Sequence, residues 1–320
     1  MRTIGRLAVV FVSLVCALSA ARAAYPDKPI RLVIGSAAGS GPDIISRLIT
    51  ERLYGVWGQR IIVDARPGVA GLLSADIVTR SAADGYTWMM LTSQLLVASN
   101  VYTNHKISLA RDFASISLIG RVPFVLTMNP RLPVKSVAEL IELARKSSPP
   151  LRYGTAGAGT SEHLCAVMFT RLTKTNMLHV PYKGITQAVA DTAAGEMHLT
   201  FAVYPAAQPM VQAGRVRALG VTTLKRSALL PDVPAVAETV PGYELYGWYS
   251  LVAPIGTPPD VLDKVSAEVV KAANEPAFGA HLRNLGIEII GSGRAELDKF
   301  RAEQTLRTLD LVKASGVNLQ

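Results

Sequence analysis

The sequence predicts an α/β protein built as two lobes, and three observations carry that expectation. Short apolar runs alternate with amphipathic helical patterns from Ile30 onward, the arrangement of βαβ units whose strands lie parallel and buried. The same alternation restarts after Phe124–Met128. The chain is 320 residues long, more than one ordinary core uses and enough for two domains of common size. A composition of 49% hydrophobic and 18% charged residues excludes a disordered chain.

Arg2 and Arg6 lead into an apolar run from Leu7 to Ala20, followed by Ala21-Arg22-Ala23. Small residues at both recognition positions mark a secretory signal peptide cleaved near Ala23. The run is too short to span a bilayer. Val15 before Cys16 is not the small residue a lipoprotein signal requires. The expectation is an exported periplasmic protein. Removal of Cys16 leaves Cys165 alone, so no disulfide framework is available and the cores must stabilise the fold.

Ile30–Ile34 reads as the first strand, Gly35–Gly41 as a turn, and Ile44, Ile45, Leu48 and Leu53 as the buried stripe of a helix. Arg60–Asp64 repeats the strand signal, Arg66-Pro67-Gly68 breaks it, and Leu72 to Val78 forms the next helix. Asp84-Gly85 turns the chain into a strand at Tyr86–Leu91. In the second series Ser136 and Glu139 form a capping box, and Val137, Leu140, Ile141 and Ala144 supply the buried stripe. Arg152–Thr155 is a strand, and Thr160 opens a helix carrying Leu164, Met168 and Leu172. Further strands are expected at Met177–Val180, Leu199–Val203 and Val216–Val221, with Tyr246–Pro254 aromatic and extended. Pro258 and Asp260 start a helix with proline and an acid in its first turn. A last helix spans Glu296–Ala314, with Gly316 as its C-cap.

Pro123–Asn129 and Tyr246–Pro254 are the segments best suited to cross between lobes. If both cross, the first lobe is discontinuous, residues 24–124 with 250–320, and the second is 125–249, with the ligand cleft between them. The alternative is two tandem domains. No Gly/Ser/Pro-rich linker is visible, which favours the double crossing.

Glycines and small hydroxyls gather after the strands. Ser36, Ala38, Gly39 and Ser40 follow the first strand, Gly68 and Gly71 the second, and Thr92 and Ser93 the third. Thr155, Ala156, Gly157, Gly159, Thr160 and Ser161 follow the strand of the second lobe. All lie at the carboxyl ends of strands, where open α/β sheets place ligands. Several lead into helix N-termini, whose unpaired N–H groups bind anions without a charged side chain. The combination favours a small anionic ligand.

Other chemistries fail on detail. Gly35–Asp43 holds no lysine for a P-loop, and Ile44 and Glu162 stand where a dinucleotide fingerprint needs its last glycine. There is no Gly-x-Ser-x-Gly elbow. His105, His163, His179, His198 and His281 share no metal-ligand spacing. His163 alone falls near the presumed site, and otherwise reads as an ordinary exposed helix residue. Cys165 reads as buried and inert, and Asp43 as structural in a helix first turn. The net charge is +9 with dispersed lysines and arginines; for an exported protein this steers carboxylates rather than nucleic acid.

With these loops in place, the chain resembles the substrate-binding proteins of the tripartite tricarboxylate transporter family, the Bug proteins. The resemblance spans the mature chain and rests on Tyr25-Pro26-Asp27-Lys28-Pro29-Ile30, Arg66-Pro67-Gly68, Asp84-Gly85-Tyr86-Thr87, His179-Val180-Pro181-Tyr182-Lys183-Gly184, Leu230-Pro231-Asp232-Val233-Pro234 and Ala253-Pro254-Ile255-Gly256-Thr257-Pro258. It implies a type II periplasmic-binding-protein fold, each lobe a doubly wound, mainly parallel sheet flanked by helices. It also implies delivery of a small carboxylate to a membrane permease of two other subunits; the chain itself is read as a non-catalytic receptor without cofactor or metal, and as a monomer. A receptor feeding a sensor kinase, or an exported enzyme, are the alternatives. Carried onto this chain, the family's contacts fall on the loops above and on Lys183, Gly184 and the Ala202–Tyr204 segment. Three positions depart from the family pattern: the loop Gly35-Ser36-Ala37-Ala38 lacks proline and aromatics, Ala65 replaces asparagine, and Ala202 replaces an aspartate that can meet an amine. A plain carboxylate, bulky or aromatic ones included, is therefore expected over an amino acid.

Overall fold

The computed structural model describes residues 25–102 and 104–316; the residues expected to form a signal peptide lie outside this range. The first series of elements runs β1 (Ile30–Ile34), α1 (Gly41–Trp57), β2 (Ile61–Ala65), a 3-10 turn at Val69–Gly71, α2 (Leu72–Thr79), β3 (Thr87–Thr92), α3 (Ser93–Val101) and the short α4 (Leu109–Asp112). The long β4 (Phe113–Met128) leads to α5 (Val137–Lys146), β5 (Leu151–Thr155), α6 (Ser161–Thr173), β6 (Met177–Pro181), α7 (Ile185–Ala194), β7 (Leu199–Val203), α8 (Tyr204–Gln212) and β8 (Arg217–Val221). The chain ends with β9 (Tyr246–Pro254), α9 (Pro259–Ala273), α10 (Pro276–Asn284), β10 (Glu288–Ser292) and α11 (Arg294–Ser315).

The sheet is mixed, in the order β2-β1-β3-β9-β4-β7-β5-β6, with β10 and β8 also on β4. Its flanks are the expected parallel units: β1 pairs in parallel with β2 and β3, and β5 with β6 and β7. The centre is antiparallel, because β9 and β4 run between the flanks in opposite directions. β4 serves both sides. Phe113–Pro123 pair with β9, and Phe124–Met128 pair with β7 and β8. The change of partner falls at Pro123, whose nitrogen has no hydrogen to donate to a ladder.

Burial follows this division. Leu32 and Ile34 face α1 and α9 in a core with Trp88, Met90, Leu251 and Val265, while the alternate residues Val33, Met89 and Val252 face a second core with Leu95, Trp248 and Leu297. Both faces of these strands are covered, which is why they read as unbroken apolar runs. A separate core gathers Leu126, Leu140, Phe169, Phe201 and Tyr243 around the other flank. Cys165 is fully buried there, and its carbonyl accepts from the Tyr243 hydroxyl at 3.0 Å. Burial pushes its thiol far up, so it is inert as expected.

Local signals act as read, with two differences. Ser136 caps α5 by accepting from Glu139 N–H, but the Glu139 carboxylate takes the Lys135 N–H rather than that of the cap residue. Phe113–Pro123, α3, α4, α7, α8, α10 and β10 lie beyond the expected elements.

Candidate functional site

The loops after β1, β2 and β3 converge. A methyl group added at Gly35 would come within 2.6 Å of the Gly71 Cα, so the two loops touch backbone to backbone only because residue 35 is glycine. With Ser36, Ala70 and Thr92 they line a hollow of about 10 Å³, the size of one water. The 66–71 loop is held in unusual geometry: Val69 and Ala70 have φ of +44° and +53°, conformations that cost a non-glycine residue about 1–3 kcal/mol each and gather at ligand sites. A wider hollow of about 810 Å³ between α9 and α11, lined by Asp263, Lys271, Arg294 and Asp298, involves none of these loops.

Several expected donors already have partners. Gly39 N–H donates to Asp43 Oδ2 at 2.9 Å, and Arg47 bonds the same carboxylate at 3.0 Å. Burial pushes the Asp43 carboxyl up, but these bonds outweigh it and leave it below the usual range, the structural role expected of it. Gly71 N–H goes to Gly68 O, and Ser40 N–H to Ala37 O. Thr92 Oγ1 caps α3 by accepting from Leu95 N–H at 3.3 Å. The Ser36 and Ala38 N–H groups make no bond among the described residues, and the buried Ser40 hydroxyl has no partner.

The second-flank loop is braced from beneath. Thr155 Oγ1 accepts from Gly157 N–H at 3.1 Å and lies 2.7 Å from His179 Nε2. Gly159 N–H donates to His163 Nδ1 at 3.2 Å, and Thr160 Oγ1 caps α6 through His163 N–H. The His163 and His179 rings stack at 4.2 Å, with Tyr153 5.1 Å beyond. His163 is thus buried, not the exposed helix residue its position allowed, because it packs under the loop it supports. Burial, then the neighbouring His179, lowers its pKa to about 4, and burial lowers that of His179. Ala156 and Ala158 N–H make no bond among the described residues. The hydroxyl of Ser161, a residue 4% exposed, has no partner among the described residues. Lys183 and Gly184 adjoin this loop, since the Tyr182 carbonyl lies 3.8 Å from where a Gly157 Cβ would stand.

Ala202 is fully buried with Val189 and Ala207, and Tyr204 packs on Val125 and Val221. Ser93 lies close to the crossing strand, its Oγ 3.6 Å from where a Gly247 Cβ would be.

The two flanks face each other across β9. The Tyr249 hydroxyl lies 3.3 Å from the Cβ position of Gly41, at the start of α1, and senses the charge of Glu162 at the start of α6. A Cβ at Gly159 would fall 2.8 Å from Val101 Cγ1, and Val97, Val101, Leu164 and Val312 make an apolar cluster of α3, α6 and α11. Tyr249 and Glu162 escape sequence reading as site residues. Tyr249 comes from a strand read only as a connection, and Glu162 enters the reading only as the residue standing where a dinucleotide fingerprint needs glycine. Among the described residues no group of acids, histidines and cysteines is placed to hold a metal.

Glycine-rich loops leading into helix N-termini, on two flanks joined by the crossing strands β4 and β9, are the arrangement of a solute-binding receptor of the periplasmic-binding type. Residues 45–317 match the tripartite tricarboxylate transporter family receptor, and the chain belongs to that family. It is 34% identical over 283 residues, 88% of this chain and 84% of the relative, to a protein from the tcbD–tcbE intergenic region of Pseudomonas sp. strain P51. Among solved structures it is similar to an R. palustris protein with adipate, at 33% identity and TM-score 0.82 over 92% of this chain and 99% of that one. It is also similar to MatC from Rhodopseudomonas palustris with bound malate, at 25% identity and TM-score 0.77 over 90% and 100%. No described helix is long and apolar enough to cross a membrane.

Proposed function

We propose that the protein captures a small carboxylate, mono-, di- or tricarboxylate, between two lobes and delivers it to a membrane permease. The lobes are the β1–β3 flank with the chain after β9, and the β5–β7 flank. The observation that carries the reading is the set of donors left free, among the described residues, in the loops ahead of α1 and α6: the Ser36, Ala38, Ala156 and Ala158 N–H groups make no bond and the Ser40 and Ser161 hydroxyls have no partner. These are donors for an anion. The relative solved with adipate supports the ligand class. Ser36, Ser40, Gly68, Gly71, Thr92, Ser93, Ala156, Gly157, Thr160, Ser161, Lys183 and Gly184 form or frame the site. Gly39, Thr155 and Gly159 shape it through their internal bonds. The role is binding rather than turnover, since the Thr155 hydroxyl that meets His179 Nε2 at 2.7 Å is engaged in bracing the Gly157 loop, and the signal peptide expected at the N-terminus directs the chain to the periplasm.

A thermal-shift screen of mono-, di- and tricarboxylates tests this. At a hundredfold excess over Kd, a specific ligand stabilises by about 2.7 kcal/mol, a rise in Tm of roughly 5–10 °C. Uniformly flat melting curves would refute the reading.

A further inference from the structure

The hollow where the loops after β1, β2 and β3 meet carries one long polar side chain, Gln94. Besides glycine and alanine it is lined by Ser36, Thr92 and Gln94, with the buried Met89, Met90 and Leu95. Gln94 stands in the first turn of α3 and is exposed, and its carboxamide makes no hydrogen bond among the described residues. Neither an acid nor a basic side chain lines the hollow. Resting on the carboxylate-receptor reading, we infer that Gln94 is a specificity-determining residue. Its carboxamide donates to a second carboxyl group of the ligand, seated on this hollow while the first is held by the loop ahead of α6, and so selects dicarboxylates over monocarboxylates.

The free polar groups around the hollow are mostly donors. Thr92 Oγ1 spends a lone pair on Leu95 N–H at 3.3 Å, which leaves its own proton to give. Ser36 N–H is unbonded among the described residues, and Gln94 adds an NH2 group. A volume of about 10 Å³ admits one oxygen atom and no carbon chain. A carboxylate therefore places one oxygen in the hollow and leaves the other at its mouth, where Gln94 is exposed. A hydrogen bond to a charged oxygen is worth more than one between neutral groups. An acid ending in a methyl group offers these donors no acceptor, and they give up water without a partner when it binds. The second flank keeps its own free donors, the Ala156 and Ala158 N–H groups and the Ser161 hydroxyl, so two separate sets suit an acid with two carboxyl groups.

The test is titration calorimetry with adipate against hexanoate and succinate against butyrate, pairs in which one carboxyl group is exchanged for a methyl. Wild type should prefer the diacid in at least one pair. Gln94→Leu, similar in size and without an amide, should shrink that preference roughly fivefold to twentyfold. Gln94→Glu is nearly isosteric, and a carboxylate in a helix first turn favours folding. Its ligand-free melting temperature should match or exceed that of wild type, which separates lost binding from misfolding. Its diacid affinity should nevertheless fall about a hundredfold and return in part at high salt, because two like charges then meet at the mouth of the hollow. Equal losses for diacid and monoacid in Gln94→Leu overturn this inference alone. Diacid binding as tight in Gln94→Glu as in wild type does the same, and so does a wild type with no preference for either diacid. Failure of every acid to bind wild type removes the receptor reading and this inference with it.

Discussion

At Gly157 the chain has φ of +124°, and its Cβ position meets nothing closer than the Tyr182 carbonyl at 3.8 Å. There is room for a side chain but not a comfortable backbone, so any substitution carries a similar conformational cost, about 1–2 kcal/mol. Gly157→Ala and Gly157→Asp therefore form a matched pair. Both should melt a few degrees below wild type, because both strain the same bond. Only the aspartate adds a negative charge to the loop that should receive the ligand. Carboxylate affinity is expected to fall at least a hundredfold in Gly157→Asp and far less in Gly157→Ala, read by titration calorimetry. Equal losses in the two variants would mean that loop shape, not charge, accounts for the defect. Gly159 is a different case: its φ of +71° is joined by a 2.8 Å approach to Val101, so even alanine there would push α3 from the loop.

The elements that join the flanks are tied by one buried threonine. Thr222 Oγ1 accepts from Phe124 N–H at 3.0 Å and donates to Phe124 O at 3.1 Å. Its N–H bonds the same carbonyl, and its own carbonyl receives Leu245 N–H. Phe124 follows the proline where β4 changes partners, and Leu245 precedes β9, so a single residue links both crossings. Thr222→Val keeps the shape and removes the hydroxyl, leaving Phe124 N–H buried without a partner at a cost of about 1–3 kcal/mol. Thr222→Ser keeps the hydroxyl and should retain most of the stability in denaturant unfolding. A valine variant as stable as wild type would show that the link contributes nothing. Little of this junction was legible beforehand. The β1, β7 and β9 runs have the expected boundaries, since buried strands declare themselves by apolar content. The first half of β4, Phe113–Pro123, carries Ser115, Ser117, Gly120 and Arg121 and lacks that signature. Ser115 and Ser117 are buried and bonded to Asp298 and Ser292, far along the chain. The same limit applies at the site. Glycine loops follow from local backbone needs, whereas the stacking of His163 on His179 and the approach of the Tyr249 hydroxyl to Gly41 depend on tertiary pairing that spacing does not encode.

At the scale of the whole molecule, the buried titratable groups set how stability responds to acid. Burial lowers the pKa of His163 to about 4 and that of His179; for His198 burial is also the largest cause, with Arg152 adding to it. The unfolded chain protonates these rings near pH 6.5, while the native state refuses the protons until lower pH. In that interval the unfolded state holds more protons, so stability falls as pH falls. Glu162 works in the opposite sense, since its raised pKa makes the native state bind a proton more readily and contributes stability that is lost as pH rises. Asp43, Asp64 and Asp112 are partly desolvated, but their arginine bonds prevail and hold them below the usual range. Their stabilisation disappears only below the ordinary carboxylate range. Three histidines against one glutamate set the sign. The melting temperature of the ligand-free protein should hold between pH 8 and 7 and then drop by several degrees towards pH 4.5, beginning near pH 6.5. His163→Gln, which keeps a polar group beneath the Gly159 loop without titrating, should start lower at pH 7.5 and descend less steeply. Parallel descents in the two proteins would mean that the stacked rings are not the groups resisting protonation.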